Sequence, residues 1–534
     1  MKKTLVLFFS VLFLFGLVFT GFAGGKQETG PGKEMEEEKE TEAMEEEEEK
    51  IFIIARSTDA NTLDAGYGYA EGEMDPIFHI YDGLVHYKNS DLEVEPALAT
   101  SWDVSEDGLT WTFNLRKGVK FHDGTDFNAD AVVFSFMRLV DEEHPYYGLG
   151  SWSYFDYLLG DVLQDVRAVD EYTVEIELKN KFAPFLTYMG YYSEYIASPT
   201  AVKKWGEDFF KHPVGTGPFV FDEWKKEEYI TLKKNENYWG EEPNIDTLIW
   251  KVVPDNTTRL MELETGQVHA IKSIAPNQLE KVKNNSDLKV YQIAGANLFF
   301  AALNTTKPPF DDVRVRQAVQ YAVDMDRLVK SVYEGMGVRA VCTLPPNVFS
   351  FDKSMKPYPY NPDKAKQLLQ EAGYGDGLDI SIHTFVEARP YIARPVDAAE
   401  IIKSDLGKVG IEATVEANEW GTHKSIYNAL EHQMGFAGWF DIPHPNNFWN
   451  TLLIKGVKGG WHPDEVVELA EKALSTYDRA EQAKYWRQVQ QLAHEECPIL
   501  PIAHNAYTAA VQKNIEGFEL DILGIARMHT ADIK

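Results

Sequence analysis

Cysteine is scarce in this chain: Cys342 and Cys497 are the only two among 534 residues. There is no Cys-x-x-Cys pair and no tight cluster of His, Cys and carboxylates with metal-ligand spacing, so the sequence predicts no metal site. The two thiols would pair only if the fold brought them within bonding distance. We expect both to be free and buried, as isolated cysteines commonly are.

Basic runs are also lacking, and the formal net charge is −32. The tract from Lys26 to Lys50 holds 12 Glu against 4 Lys, and residues 51–534 still carry a net −26. A chain without a basic stripe cannot neutralise phosphates, so nucleic-acid binding is disfavoured. Residues 24–50 have almost nothing apolar to bury, which predicts a disordered spacer or a solvated helix.

Long hydrophobic runs are missing except at the N-terminus. Lys2 and Lys3 precede the apolar segment Thr4–Phe22, and small residues follow near Ala23, a pattern typical of a secretory signal peptide over residues 1–23. A membrane anchor is the alternative reading, since the run approaches spanning length. No lipoprotein cysteine follows the run, so we expect a soluble periplasmic protein of a cell with two membranes.

Catalytic motifs are absent as well. The sequence has no Gly-x-Ser-x-Gly elbow, no His-Glu-x-x-His and no phosphate-binding P-loop. A carboxylate pair for glycoside hydrolysis cannot be dismissed by counting acidic residues, but no motif supports one. The sequence therefore predicts a protein that is not an enzyme and that needs no cofactor.

The remaining 484 residues are too many for one core, so two or three domains are expected. Strand and helix patterns alternate throughout, which predicts an α/β fold with mixed sheets. Thr110–Leu115 alternates with period two after the turn residues Asp107-Gly108, which indicates a strand. Asn361-Pro362 is typical of a helix start, and one helix is predicted from about Asp311 to Glu334.

Five ordered blocks add specificity to this pattern. They are Ala99–Gly124 (ATSWDVSEDGLTWTFNLRKGVKFHDG), His212–Phe219 (HPVGTGPF), Asn237–Gly240 (NYWG), Pro308–Val323 (PPFDDVRVRQAVQYAV) and Tyr360–Gly373 (YNPDKAKQLLQEAG). Together they resemble the extracytoplasmic solute-binding proteins of the dipeptide/oligopeptide/nickel family, which serve ABC importers. Within that family the dipeptide-binding branch is most similar.

The resemblance implies a two-lobed periplasmic binding protein fold of the large peptide-binding type, with an extra third domain. A monomer that closes its lobes over a ligand by a hinge motion is expected, with strands near residues 288–297 and 499–504 as the hinge. The implied domains are lobe one at 51–83, 188–292 and 500–534, the extra domain at 84–187, and lobe two at 293–499.

The resemblance also implies how a peptide is held. Arg389, in Ala388-Arg-Pro-Tyr391, matches the arginine that takes the ligand carboxylate, and Asp441, in Gly438-Trp-Phe-Asp441, matches the aspartate that takes its amine. A zwitterion in a closed cleft needs such partners. The chain departs from the branch after Asp441, where His444-Pro-Asn-Asn-Phe448 lacks two carboxylates and the loop is shorter.

Each candidate also has a purely structural reading. Arg389 would be an ordinary surface charge, and Asp441 would cap a turn before Pro443. Trp439 and Trp420 are expected to wall the pocket, although core packing would also explain them. Gly438 accompanies Trp439, and Asn297 would offer a polar group to the ligand.

Two other ligands of the same fold remain open. A neutral oligosaccharide would need stacked aromatic rings rather than a buried charge pair, and the 12 Trp are compatible with that. Nickel would need ligands that the scattered histidines do not supply. The expected partners are a small-molecule ligand, with a peptide favoured, and the membrane permease and ATPase of an ABC importer.

Overall fold

The computed structural model describes residues 49–88, 93–150, 152–440, 442–454 and 459–534, and of residues 450–453 the backbone only. The predicted signal peptide, nearly all of the acidic spacer and Asp441 lie outside the described residues. The end of the predicted spacer is anchored, since Lys50 Nζ lies 2.7 Å from a carboxylate oxygen of Asp532.

Strands and helices are mixed between residues 51 and 294. The strands are β1 (Ile51–Arg56), β2 (Val85–Lys88), β3 (Glu93–Pro96), β4 (Ala99–Val104), β5 (Thr110–Leu115), β6 (Leu163–Asp170), β7 (Thr173–Leu178), β8 (Phe219–Lys225), β9 (Tyr229–Lys234), β10 (Thr247–Val252), β11 (Ala270–Lys272) and β12 (Leu288–Ala294). The helices are α1 (Glu71–Ile80), α2 (Ala129–Val140), α3 (Phe185–Tyr188), α4 (Pro199–Trp205), α5 (Asn256–Glu264) and α6 (Leu279–Lys283).

Helices are more frequent in the rest of the chain. Its strands are β13 (Asn297–Leu303), β14 (Gly337–Arg339), β15 (Leu378–Phe385), β16 (Ile411–Asn418), β17 (Met434–Phe440), β18 (Ile499–Gln512), β19 (Ile515–Glu516), β20 (Glu519–Leu520), β21 (Ala526–Arg527) and β22 (Asp532–Ile533). Its helices are α7 (Val313–Ala322), α8 (Met325–Tyr333), α9 (Pro362–Glu371), α10 (Pro395–Gly407), α11 (Trp420–Asn428), α12 (Asp464–Ser475) and α13 (Arg479–Glu496), and Asn447–Ile454 forms π-helical turns.

One long mixed sheet runs through the described residues in the order β16-β15-β17-β13-β18-β11-β1-β10-β9-β8, with β12 and β14 also paired to β18. Strand β18 is the bridge, because its first half pairs with β13 and β14 and its second half with β11 and β12. A separate antiparallel sheet, β4-β5-β7-β6, packs against α2.

The buried apolar residues divide the molecule into two lobes. We call the first lobe the part whose core is built around β1, β8–β11, α1 and the separate four-stranded sheet. The second lobe has its core around β13, β15–β17 and the helices from α7 to α13. The domain boundaries predicted from the sequence stay a prediction.

The chain crosses between the lobes at Gly295-Ala296, which joins β12 to β13, and again near Asn505 within β18. The Asn297 side chain holds the two crossings together. Its Nδ2 donates to Asn505 O at 2.9 Å and its Oδ1 accepts from Asn505 N at 2.7 Å. Both crossings are therefore fixed to each other at the point where a hinge is expected.

The sequence predicted the start of α9, where Asn361 caps the helix by accepting from Lys364 N at 3.1 Å. The single helix predicted from about 311 to 334 is wrong: α7 ends at Ala322 and α8 starts at Met325. The break has a local cause, because the Asp324 carboxylate accepts from Arg327 N at 3.1 Å and starts a new helix.

Candidate functional site

A cavity of about 1040 Å³ lies between the two lobes. The first lobe contributes segments near β1, α1 and α5, and the second lobe contributes the loop after β15, the start of α11 and the end of β17. Residues 505–508 of the bridging strand β18 form its back. This volume lies at the upper end of the range for small-molecule sites in proteins.

Arg389 is a cation that the second lobe presents to this cavity through the loop after β15. Its backbone is fixed by a reciprocal pair of hydrogen bonds with Ile392, at 2.7 and 2.9 Å, and Asn505 Nδ2 donates to the neighbouring Pro390 O at 2.7 Å. The guanidinium carbon lies 4.0 Å from the centre of the Trp420 ring. The guanidinium is thus close enough to the Trp420 ring for a cation–π interaction.

The Arg389 guanidinium has no carboxylate within ion-pair distance among the described residues, and its buried Nε has no hydrogen-bond partner there. The nearby Glu387 is engaged elsewhere, since its Oε1 accepts from Trp420 N at 3.0 Å. That hydrogen bond is the largest of the effects that lower the pKa of Glu387, and the charge of Arg389 is a smaller one. The Arg389 guanidinium, with no described counterion, is therefore suited to bind an anionic group of a ligand.

Trp420 is the first residue of α11, and it lines the cavity. Its ring meets Phe385 edge to face, with centroids 5.1 Å apart. The tryptophan therefore packs on the core with one side and supports Arg389 with another.

Gly438 and Trp439 lie near the end of β17, and both line the cavity. A Cβ on Gly438 would lie 2.1 Å from the Tyr391 ring, so this position has room for no side chain. Tyr391 in turn stacks on Phe299 with centroids 6.1 Å apart. The glycine thus allows β17 to approach the loop that carries Arg389, and the buried indole Nε1 of Trp439 has no partner among the described residues.

Asn297 does not line the cavity. Its side-chain amide forms the two hydrogen bonds with the Asn505 backbone described above, and its backbone carbonyl lies 2.7 Å from His504 Nδ1. The ligand role of Asn297 stays a prediction, and its observed contacts hold the bridging strands together. The roles of Arg389, Trp420, Gly438 and Trp439 also stay predictions, although the fold brings these four to one cavity.

The loop that follows Asp441 reaches the first lobe. Asn446 Nδ2 donates to the Tyr188 hydroxyl at 2.8 Å, and that hydroxyl donates to Asn447 Oδ1 at 3.0 Å. Ile442 is buried in the core of the first lobe. Burial, with a smaller effect of Arg479, lowers the pKa of His444 to about 3, so this histidine is neutral. Asn446 and Asn447 thus join the loop after Asp441 to the first lobe.

The first-lobe wall of the cavity escaped the sequence analysis. Glu71 accepts from Ser273 Oγ at 3.1 Å and has no ion pair with any described cation. Lys272 pairs with Asp75 at 2.6 Å, and Arg259 donates mainly to backbone carbonyls. A start-of-helix acid such as Glu71 carries no motif, so only the fold identifies it as a lining residue.

Aromatic rings form another part of that wall. Tyr69, Trp152 and Tyr154 line the cavity, and the Tyr69 and Trp152 rings meet edge to face with centroids 5.2 Å apart.

In the described part of the chain, no helix is long and apolar enough to cross a membrane, and no group of three potential metal ligands is present. Both cysteines are free and buried, as predicted.

Comparison with known proteins adds an independent line of evidence. The profile of the family described as bacterial extracellular solute-binding proteins, family 5 Middle, matches residues 93–460. Heme-binding protein A of Haemophilus influenzae is 37% identical over 462 residues, with 82% of this chain and 84% of that protein covered.

The dipeptide-binding protein of Escherichia coli is 35% identical over 466 residues, with 83% of this chain and 87% of that protein covered. Among solved structures, the dipeptide-binding protein of Pseudoalteromonas sp. SM9913 in complex with Met-Leu superposes with a TM-score of 0.78. It is 30% identical, and 91% of this chain and 100% of that chain are covered.

Proposed function

Since the chain belongs to the bacterial extracellular solute-binding proteins of family 5 and has their two-lobed periplasmic binding protein fold with an extra domain, we propose that it captures a dipeptide or short oligopeptide between its lobes. It delivers the peptide unchanged to the permease of an ABC importer, outside the cytoplasm. It acts as a binding component and catalyses no reaction.

One observation supports a peptide above all: the Arg389 guanidinium faces a shared cavity with no described counterion. A peptide brings a terminal carboxylate that a planar guanidinium holds through two parallel hydrogen bonds. Leaving that carboxylate unpaired in a closed cleft costs about 2–5 kcal/mol, whereas the whole binding free energy of a micromolar ligand is about −8 kcal/mol. Arg389 therefore decides whether binding is measurable.

Asp441 is the proposed partner of the peptide ammonium. It follows Phe440, the last residue of β17, and β17 brings Gly438 and Trp439 to the same cavity. A carboxylate at this point would place opposite charges at the two ends of a peptide, as a zwitterion requires.

The test combines a protein change with a ligand change. Isothermal titration calorimetry measures Ala-Ala and its C-terminal amide against the wild type and Arg389→Ala. We expect Arg389→Ala to weaken Ala-Ala by roughly 30-fold or more. Amidation should weaken binding to the wild type by a similar factor and add little in the variant, because both changes remove the same contact.

Arg167→Ala serves as the matched control, since Arg167 forms only exposed ion pairs within the four-stranded sheet. The assignment of Arg389 is wrong if amidation weakens both proteins equally. Mass spectrometry of the peptide after incubation should show it intact, and a cleaved product would contradict a binding role.

Heme is a second candidate ligand, because a relative that is 37% identical is named as heme-binding. Heme carries carboxylates and a flat apolar ring, which suit the same arginine and aromatic walls. A hemin titration followed by absorbance, with Ala-Ala as the competitor, separates the two. The oligosaccharide and nickel alternatives are not favoured, since the two peptide-binding relatives described above resemble this chain over most of its length.

A further inference from the structure

Four aromatic rings form a connected cluster on the first-lobe side of the cavity. Trp152 is in the middle, with its ring centroid 5.2 Å from Tyr69, 5.5 Å from Tyr154 and 5.4 Å from Tyr157. Tyr69 is 50% exposed and Trp152 is 43% exposed, which is unusual for large rings that touch one another. Partly exposed apolar patches of this kind commonly mark a binding surface.

This cluster is continuous with the site of Arg389. Tyr69, Trp152 and Tyr154 line the same cavity as Arg389 and Trp420. The two ends of the site differ in chemistry, because Arg389 supplies a charge while the cluster supplies ring faces and edges. A cavity of about 1040 Å³ also exceeds what the backbone of a dipeptide fills, so it leaves room for ligand side chains beside the aromatic cluster.

Building on the proposed function, we propose that Tyr69, Trp152 and Tyr154 form a side-chain subsite that selects peptides with an aromatic residue. An aromatic ring entering the cluster gains area burial and edge-to-face contacts with rings that are already held in place. A methyl side chain at the same position would leave Tyr69 and Trp152 in contact with water. The ligand class that follows is a short peptide with at least one Phe, Tyr or Trp.

Calorimetry with Ala-Ala, Phe-Ala and Ala-Phe tests this subsite. For the wild type, we expect one of the Phe peptides to bind about tenfold more tightly than Ala-Ala, since a buried Phe ring replaces a methyl group. In Trp152→Ala, the ratio of the affinity for the better Phe peptide to the affinity for Ala-Ala should fall to about threefold or less. Tyr69→Ala should lower the same ratio, and this variant tests the subsite if Trp152→Ala does not fold.

Trp205→Ala is the matched control, because Trp205 is 36% exposed and does not line the cavity. It should keep the wild-type ratio. Equal affinities of the wild type for all three peptides, or an unchanged ratio in both Trp152→Ala and Tyr69→Ala, would overturn the subsite while leaving peptide binding intact. Failure of the wild type to bind any of the three would instead overturn the proposed function.

Discussion

The hydroxyl of Tyr188 provides a direct test of how the two lobes are held together. It accepts from Asn446 Nδ2 at 2.8 Å and donates to Asn447 Oδ1 at 3.0 Å, and all three residues are buried. Tyr188 belongs to the first-lobe core, whereas the two asparagines follow β17 of the second lobe. We expect the loop to move with the second lobe, so that opening of the cleft separates these groups.

Tyr188→Phe removes the hydroxyl and leaves two buried amide groups without this partner. A buried polar group that loses its partner costs about 1–3 kcal/mol. When the lobes are separated, water forms hydrogen bonds with the same amides. The substitution therefore raises the free energy only of the conformation in which the lobes are joined. If ligand capture requires that arrangement, the affinity should fall by roughly 5- to 150-fold.

Calorimetry with Ala-Ala and a thermal melt of the ligand-free protein measure this effect. Tyr229→Phe is the control, because the Tyr229 hydroxyl donates to Glu223 at 2.8 Å on the surface, where water replaces the contact. The reasoning is refuted if Tyr188→Phe matches the wild type in both affinity and melting temperature.

Two further predictions concern packing and pH. Gly438→Ala should lower the melting temperature and weaken peptide binding, because the new Cβ would overlap the Tyr391 ring. Gly407→Ala is the control: a Cβ there has no neighbour within 4 Å, so the change should be neutral or stabilising by up to about 1 kcal/mol. Equal melting temperatures of the two variants would contradict this reasoning. Burial lowers the pKa of His432 from 6.5 to about 3, so over that range an unfolded chain takes up a proton that the folded protein does not, and stability falls as the pH falls. His432→Phe should therefore flatten the decrease in melting temperature between about pH 7 and pH 4, and an undiminished slope would count against it.

Much of the local structure could be predicted from the sequence because its causes are local. Strand β5 follows from the period-two pattern of Thr110–Leu115, and α9 follows from Asn361 as its cap. The error at α7 and α8 shows the limit of this reasoning: apolar periodicity continued past Asp324, while the capping carboxylate of Asp324 started a new helix. A capping residue in the middle of a periodic stretch can therefore divide one expected helix into two.

The family resemblance is confirmed, and the two-lobed fold with it. The sequence also singled out Arg389, Trp420, Gly438 and Trp439, which the fold brings to one cavity. It gave no indication of the opposite wall. Glu71 and Trp152 belong to no motif, so their place at the cavity depends on contacts between distant parts of the chain.

Most strands and helices, the acidic character of the chain and the residue types that suit a charged ligand can be read from the sequence. These properties depend on neighbouring residues or on simple composition. Tertiary packing, in contrast, places Arg389 over the Trp420 ring, joins the two crossings through Asn297 and brings Tyr188 to the loop after Asp441. Such contacts join residues 31 to 258 positions apart, and no local pattern specifies them because they arise when separate elements pack against one another.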